Sequence, residues 1–151
     1  MKTFNTIITT LVVSASAFTM VSAQNYKAPT IDATGKVMDA NGKHLGWVTK
    51  EGVIKDSSGT KMSYVDSEGG LVDAKSGKKL GKAQKNGNFV PHFSTTKDDK
   101  WTISEPMSGT CEVKDKNGKT LVVVHESYKQ YGACAYHCLS MEKEHKEMKM
   151  K

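Results

Sequence analysis

The chain contains 151 residues, a length that fits a single domain. Its 22 basic residues are all lysine, and together with 16 acidic residues they give a formal net charge of +6. Because arginine is the side chain that best forms paired hydrogen bonds with phosphate, its absence makes nucleic-acid binding unexpected and favours a solvated, lysine-rich surface.

Residues 1–23 have the three parts of a secretory signal peptide in their usual order. Lys2 supplies the positive start, an apolar stretch runs from Ile7 to Val21, and Val21-Ser22-Ala23 supplies the small residues of a cleavage site. We therefore expect cleavage after Ala23 and export to the periplasm or the cell exterior. No cysteine follows that point to accept a lipid, and no second apolar run of about 18 residues predicts a membrane span.

Four segments of the remaining sequence share one pattern when they are aligned on an aspartate. An aliphatic residue stands two positions before the aspartate, a glycine follows three or four positions after it, and further apolar residues come next. The aspartates are Asp39, Asp56, Asp73 and Asp115, and the matching glycines are Gly42, Gly59, Gly77 and Gly118.

Each of these segments predicts a β-hairpin. The aspartate accepts hydrogen bonds from the backbone amides ahead of it, and the glycine supplies the positive φ that such a turn needs. The short alternation of apolar and polar residues on both sides is typical of half-buried strands. Glycine at this density argues against helix, because each would cost roughly 1 kcal/mol relative to alanine.

A degenerate copy over residues 87–108 brings the number of units to five. It keeps an opening Gly-x-Phe but carries Pro91 at the aspartate position, and Trp101 and Ile103 can serve as strand residues. Because a single hairpin cannot bury its apolar face, we expect an all-β domain over 24–132 in which about five hairpins of about 17 residues close into a ring, with a short β-solenoid as the alternative. The units are 35–51, 52–68, 69–86, 87–108 and 109–126.

The Gly-x-Val-x-Asp-x-x-Gly-x-x-Leu-Gly-x-Val units, followed by Cys-Ala-Tyr-His-Cys, resemble the exported bacterial proteins named for a five-fold β-flower. The resemblance covers roughly residues 30 to 140. It implies a closed arrangement of five hairpins and no particular chemistry, since no activity is assigned to that family. The chain departs from the pattern at Pro91 and at Cys111, which stands where the other copies have a leading glycine.

The last part of the chain predicts an α-helix over 133–151, since this stretch has no glycine or proline and is rich in Lys, Glu, Met, Leu and Ala. One stripe of this helix has residues at steps of four, three, four and three, namely Cys134, Cys138, Met141, His145 and Met148. Packing of this stripe against the β domain is one interpretation. The other is a site for Cu or Zn with the ligand set Cys134, His137, Cys138, Met141 and His145.

The three cysteines also allow a disulfide in an oxidising compartment, and three cannot all pair within one chain. Cys134 and Cys138 stand four residues apart on the predicted helix, where Cβ atoms lie about 5 to 6 Å apart, farther than a disulfide prefers. If a disulfide forms, we therefore favour Cys111 paired with one of the two helix cysteines.

No catalytic motif of a known kind is present, so we expect a protein that is not an enzyme and needs no organic cofactor. Asp39-Ala-Asn41-Gly42 has the start of a calcium loop without its closing glutamate. Trp47 and Tyr64 occupy equivalent positions on the strand face opposite Val48 and Val65, where aromatic rings either pack against a neighbouring hairpin or stack on a sugar or lipid. The sequence thus leaves two functions open: an exported binding or structural protein of the cell envelope, with a glycan among its candidate ligands, or a periplasmic protein that handles copper or zinc.

Overall fold

The computed structural model describes residues 27–92 and 99–151, and the predicted signal peptide lies outside these ranges. The described chain forms eleven short strands, a 3-10 turn over Glu126–Tyr128 and one helix, α1, over Gly132–Lys149. The strands in chain order are β1 (Thr30–Ile31), β2 (Lys36–Met38), β3 (His44–Val48), β4 (Val53–Asp56), β5 (Lys61–Val65), β6 (Gly70–Asp73), β7 (Lys79–Ala83), β8 (Phe89–Pro91), β9 (Thr102–Ile103), β10 (Thr110–Lys114) and β11 (Thr120–His125).

All eleven strands belong to one sheet that curves into a nearly closed, barrel-like ring. Consecutive strands from β1 to β8 and from β9 to β11 pair antiparallel, whereas β1 pairs in parallel with β11 and joins the two ends of the chain. On the far side, Phe89 and Trp101 exchange two backbone hydrogen bonds of 3.0 and 2.8 Å between β8 and the residue before β9. The ring therefore has its edges paired at both seams.

The mostly-β architecture with one C-terminal helix agrees with the sequence prediction in its coarse form. Four predicted units each contribute a regular pair of neighbouring strands. An exact five-fold repeat is not reproduced, because β1 is an additional strand and the fourth unit gives two short strands joined by an isolated bridge.

The repeated aspartates and glycines lie in turns at one end of the ring. Asp39 accepts hydrogen bonds of 2.9 Å from the backbone amides of Asn41 and Lys43, and Gly42 has a φ of +80°. The same contacts recur at Asp56 and Asp115, and the Asp73 turn is one residue longer. The strand that leaves each of these turns carries the extra residue of a β-bulge, opposite the aliphatic residue of the repeat and the residue after it.

The strand pairing of the fifth unit continues two residues further than that of the first on each strand. Cys111 pairs with Val124, which is the register position of Gly35 and Val48 in the first unit, so the alignment made from the sequence is confirmed there. A glycine still precedes the hairpin, because the Gly109 carbonyl oxygen accepts a hydrogen bond from the Glu126 amide and Gly109 has a φ of +80°. Cys111 is therefore a strand residue of β10 that points into the core.

Helix α1 occupies the interior of the ring. Its first half is buried nearly all round, and it contacts β3, β4, β7, β8 and β11, which lie far apart along the sheet. The aliphatic residues that precede the repeated aspartates form the wall around it: Val37, Ile54, Leu71 and Val113 are each fully buried. Space for the helix is made where a strand carries glycine, as at Gly46, whose Cα faces the end of Leu139. The described part of the chain contains no helix with the length and hydropathy needed to cross a bilayer.

Candidate functional site

The structure offers two places where function could reside: a buried polar cluster inside the ring and a basic, aromatic surface outside it. The buried cluster consists of Cys134, His137 and Cys138 on α1. Cys134 is fully buried, and the other two side chains are less than a tenth exposed. Ser63, a buried residue of β5, donates a hydrogen bond of 3.1 Å from its Oγ atom to the Sγ atom of Cys138.

Burial keeps all three groups of this cluster uncharged at neutral pH. It raises the pKa of Cys134 to about 12 and also raises the pKa of Cys138 above its ordinary value. For His137 burial acts in the opposite direction and lowers the pKa to about 4. The thiols are therefore protonated and the imidazole is neutral.

The imidazole of His137 is enclosed by aromatic rings. Its centroid lies 5.0 Å from that of Phe89 and 5.4 Å from that of Trp101, the two residues that close the ring of strands. The Nε2 atom is buried and has no hydrogen-bond partner in the structure. A buried polar atom without a hydrogen-bond partner lowers the free energy of unfolding by about 1–3 kcal/mol. The Nε2 atom of His137 is therefore a local source of instability in the interior.

The five residues proposed from the sequence as metal ligands lie in three different environments in the structure. Cys134, His137 and Cys138 lie inside the ring, Met141 is half-buried at its rim, and His145 is exposed on the projecting end of α1. In the described residues, no three His, Cys, Asp or Glu side chains are grouped so that they could hold a metal ion.

All three cysteines lie in the described part of the chain, and all three are free and buried. Cys111 sits on β10, and burial raises the pKa of its thiol. The structure therefore does not contain the pairing of Cys111 with a helix cysteine that the sequence favoured for any disulfide.

The second place is the outer face of β2 to β4, where the register aligns two lysines with a tryptophan. Lys36 pairs with Trp47, and Trp47 pairs with Lys55 on the next strand. All three point outward, because their neighbours Val37, Val48 and Ile54 are buried in the core. The ring of His44 contacts the indole edge-to-face at 4.1 Å, and His44 is itself held by a hydrogen bond of 3.0 Å with the Gly46 carbonyl. The indole is therefore fixed on a rigid strand.

The basic character of this face continues along the sheet to β7. Strands β2 to β7 carry five outward lysines, and in the described chain none of them is in an ion pair: Lys36, Lys55, Lys61, Lys79 and Lys82. The carboxylates of these strands are Asp56 and Asp73, and both accept hydrogen bonds within turns. Tyr64 adds a second aromatic ring, with the Nζ atom of Lys61 4.3 Å from its centroid.

An open groove of about 510 Å³ lies beside Trp47. Thr34 and Thr49 contribute hydroxyl groups, Lys50 and Lys55 contribute ammonium groups, and Glu51 is the carboxylate along its wall. The groove thus combines a flat apolar surface with groups that donate and accept hydrogen bonds.

Two features of this region escaped the sequence analysis. The turns at the groove end of the ring repeat the geometry of the opposite end: the Asp32 carboxylate accepts from the amides of Thr34 and Lys36, and the Asp66 carboxylate accepts from Glu68 and Gly70. The Asp-x-x-Gly spacing that begins at Asp32 and at Asp66 predicts these two turns. The alignment of lysine with Trp47 was not visible, because cross-strand register depends on the bulges.

Comparisons with models of known protein families, with curated protein sequences and with solved structures gave no match for this chain. The resemblance to the five-fold β-flower proteins therefore rests on the repeat residues alone.

Proposed function

We propose that the protein is an exported, non-enzymatic binding protein of the cell envelope that meets its ligand on the outside of the ring. The observation that carries this proposal is the position of α1, which fills the interior of the ring. A ligand therefore has the outer surface available, and there the β2–β4 face presents Trp47 between two unpaired lysines.

The arrangement of reactive groups supports a binding role over catalysis. Thiol and imidazole groups are the common nucleophiles and general bases, and here Cys134, His137 and Cys138 are enclosed and uncharged. The outer face instead carries lysines that are in no ion pair within the described chain and an aromatic ring on a rigid strand, which suits recognition.

Fractionation and sedimentation test this proposal. Cells that express the full chain are separated into cytoplasm, periplasm and medium, and the N-terminal residue of the recovered protein is determined. We expect recovery outside the cytoplasm with Gln24 at the N-terminus. The purified protein is then sedimented with protease-treated, insoluble envelope polysaccharide, and co-sedimentation is expected. Retention in the cytoplasm, or no co-sedimentation, would overturn the proposal.

We propose soft-metal handling as a second candidate, because one observation favours it. The Nε2 atom of His137 is buried without a partner, and the thiols of Cys134 and Cys138 lie on the same helix within one turn of it. Binding would require the thiols to lose protons, so metal affinity would increase with pH.

A titration separates the two candidates. Cu(I) or Zn(II) is titrated into the protein in the presence of a competing chelator. The same titration is made with the double variant Cys134→Ser/Cys138→Ser. Cys111→Ser is the control, because it changes a buried thiol outside the helix. Stoichiometric binding that is lost in the double variant and kept in Cys111→Ser supports metal handling. Binding that is absent, or that survives in the double variant, contradicts it.

A further inference from the structure

The row formed by Lys36, Trp47 and Lys55 has the dimensions of an extended binding site. Neighbouring strands lie about 4.8 Å apart, so the two lysines are about 10 Å apart with the indole between them. Both lysines stand on strands, so their Cα positions are fixed, while their flexible side chains lose rotamer freedom when they bind a ligand.

The charge of this face requires an anionic ligand. The five outward lysines of β2 to β7 are without ion pairs in the described chain, as are several lysines of the turns, and no carboxylate on these strands offsets their charge outside the turns. Unpaired charges of one sign on one face raise the local concentration of opposite charge. Glu51 is the carboxylate along the groove and opposes this effect at one point.

The aromatic ring and the hydroxyl groups indicate that the anionic ligand is a saccharide. The half-buried indole offers an apolar surface to the C–H side of a sugar ring. The Thr34 hydroxyl donates to the Asp32 carboxylate and can still accept from a sugar hydroxyl. The Thr49 hydroxyl accepts from the Val53 amide and can still donate. A bilayer is disfavoured, because the exposed large apolar residues of the described chain, Met107, Met148 and Met150, do not belong to strands β2 to β4, although Met150 lines a groove with His44. The absence of arginine disfavours nucleic acid.

We infer that the groove beside Trp47 binds an anionic polysaccharide, with a sugar ring on the indole and acidic groups on Lys36 and Lys55. This inference rests on the proposed binding function and names its ligand class and site. Binding is therefore expected to weaken as salt concentration rises, since the lysines displace counterions from the polymer.

Three polymers separate the contributions of sugar and charge. The purified protein is titrated by calorimetry with dextran sulfate, with uncharged dextran and with inorganic polyphosphate. We expect dextran sulfate to bind at least ten-fold more tightly than either of the others. Equal binding of dextran would overturn the requirement for charge, and equal binding of polyphosphate would overturn the requirement for a sugar. Binding to phosphatidylglycerol vesicles in preference to dextran sulfate would identify a lipid surface and overturn the inference.

Variants locate the site. Trp47→Ala should weaken dextran sulfate binding ten-fold or more and leave polyphosphate binding within two-fold, and Trp47→Phe, which retains a ring, should stay within about three-fold of the parent. Lys36→Gln/Lys55→Gln should weaken both anionic polymers and reduce the salt dependence, whereas the charge-matched control Lys149→Gln/Lys151→Gln should not. Glu51→Gln should bind more tightly. Circular dichroism checks that each variant is folded.

The outcomes distinguish this inference from the broader proposal. If the parent protein sediments with envelope polysaccharide but Trp47→Ala and Lys36→Gln/Lys55→Gln sediment equally well, the site is elsewhere and the inference is wrong while the proposed function stands. If the parent binds none of the envelope material, the proposed function itself has failed.

Discussion

The Nζ atom of Lys143 lies 2.9 Å from the Oδ2 atom of Asp39, which joins helix α1 to the first turn of the ring. Asp39 is 9% exposed, and its other carboxylate oxygen already accepts two backbone hydrogen bonds within the turn. The hydrogen bond from Lys143 holds the pKa of Asp39 below its ordinary value and raises the pKa of Lys143. One side chain thus fixes both the turn and the outer half of the helix.

We expect Lys143→Met to lower the free energy of unfolding by about 1 kcal/mol, because it removes the ion pair and leaves the turn intact. Asp39→Ala should cost more, about 2–3 kcal/mol, since the turn amides also lose their acceptor. Asp115→Ala is the matched control, because its carboxylate makes the same two turn bonds. Urea denaturation at neutral pH measures all three, and an equal loss for Asp39→Ala and Asp115→Ala would show that the ion pair adds nothing.

His137 should make the protein less stable in mild acid. Its pKa is about 4 in the folded protein against an ordinary value of 6.5, so between these values the unfolded chain binds a proton and the folded chain does not. Stability is therefore complete above pH 6.5 and is lost as the pH falls toward 4, by roughly 3 kcal/mol in total. Denaturation midpoints measured at intervals from pH 7.5 to 4.5 test this prediction.

Two variants assign that pH dependence to one residue. His137→Leu should remove most of the decline, because no titratable group then remains between Phe89 and Trp101. His145→Gln, at an exposed position on the same helix, should retain it. A decline that persists in His137→Leu would show that other groups cause it.

Gly46 should tolerate no side chain. A Cβ atom there would lie 2.1 Å from the carbonyl oxygen of Lys55 and 3.0 Å from the end of Leu139. We therefore expect Gly46→Ala to destabilise the protein by 2 kcal/mol or more, since backbone must move, an estimate on the scale of overpacked cores at about 1–3 kcal/mol. Gly118→Ala is the control: it meets nothing within 4 Å but has a φ of +80°, so its cost should be about 1 kcal/mol. Thermal unfolding compares them, and equal losses would argue against close contact at Gly46.

All three cysteines should be free thiols that react slowly with thiol reagents while the protein is folded. Each cysteine is free and buried, and the thiols of Cys134 and Cys138 resist deprotonation at neutral pH. A disulfide reagent that reports free thiols should react slowly with the folded protein and with three groups per chain in denaturant. A count of one in denaturant would show that a disulfide had formed, and rapid reaction when folded would show that the ring opens readily.

The local features of the fold were predictable because they depend on nearby residues. The spacing of Asp39 and Gly42 selects a turn, the aliphatic residue before each aspartate selects a core-facing strand position, and the absence of glycine after Gly132 allows a helix. The prediction of mostly β structure with one terminal helix follows from these signals and was correct in outline.

The long-range features were not predictable from those signals. A stripe of Cys and Met on α1 suggested a helix packed by one face, whereas the small residues Gly132, Ala133 and Ala135 allow the first half to be buried all round. The pairing of Phe89 with Trp101 joins residues on either side of a segment whose sequence breaks the repeat. The pairing of Lys36 with Trp47 depends on the bulge between β2 and β3, which no residue type specifies, whereas Trp47 and Lys55 pair in a regular register.

The place of α1 in the chain has a consequence for the order of folding. Helix α1, whose first half fills the ring, follows all eleven described strands in the chain, and β11, which pairs with β1, is the strand that precedes it. A chain that lacks this helix would leave the apolar interior open to water. Deleting the helix therefore removes part of the hydrophobic core and not an exposed terminal segment. The hairpins can form early from local contacts, but the packed interior requires α1, which comes after them in the chain. If the protein is exported as we propose, the hairpins would lack their packed interior until α1 has also crossed the membrane.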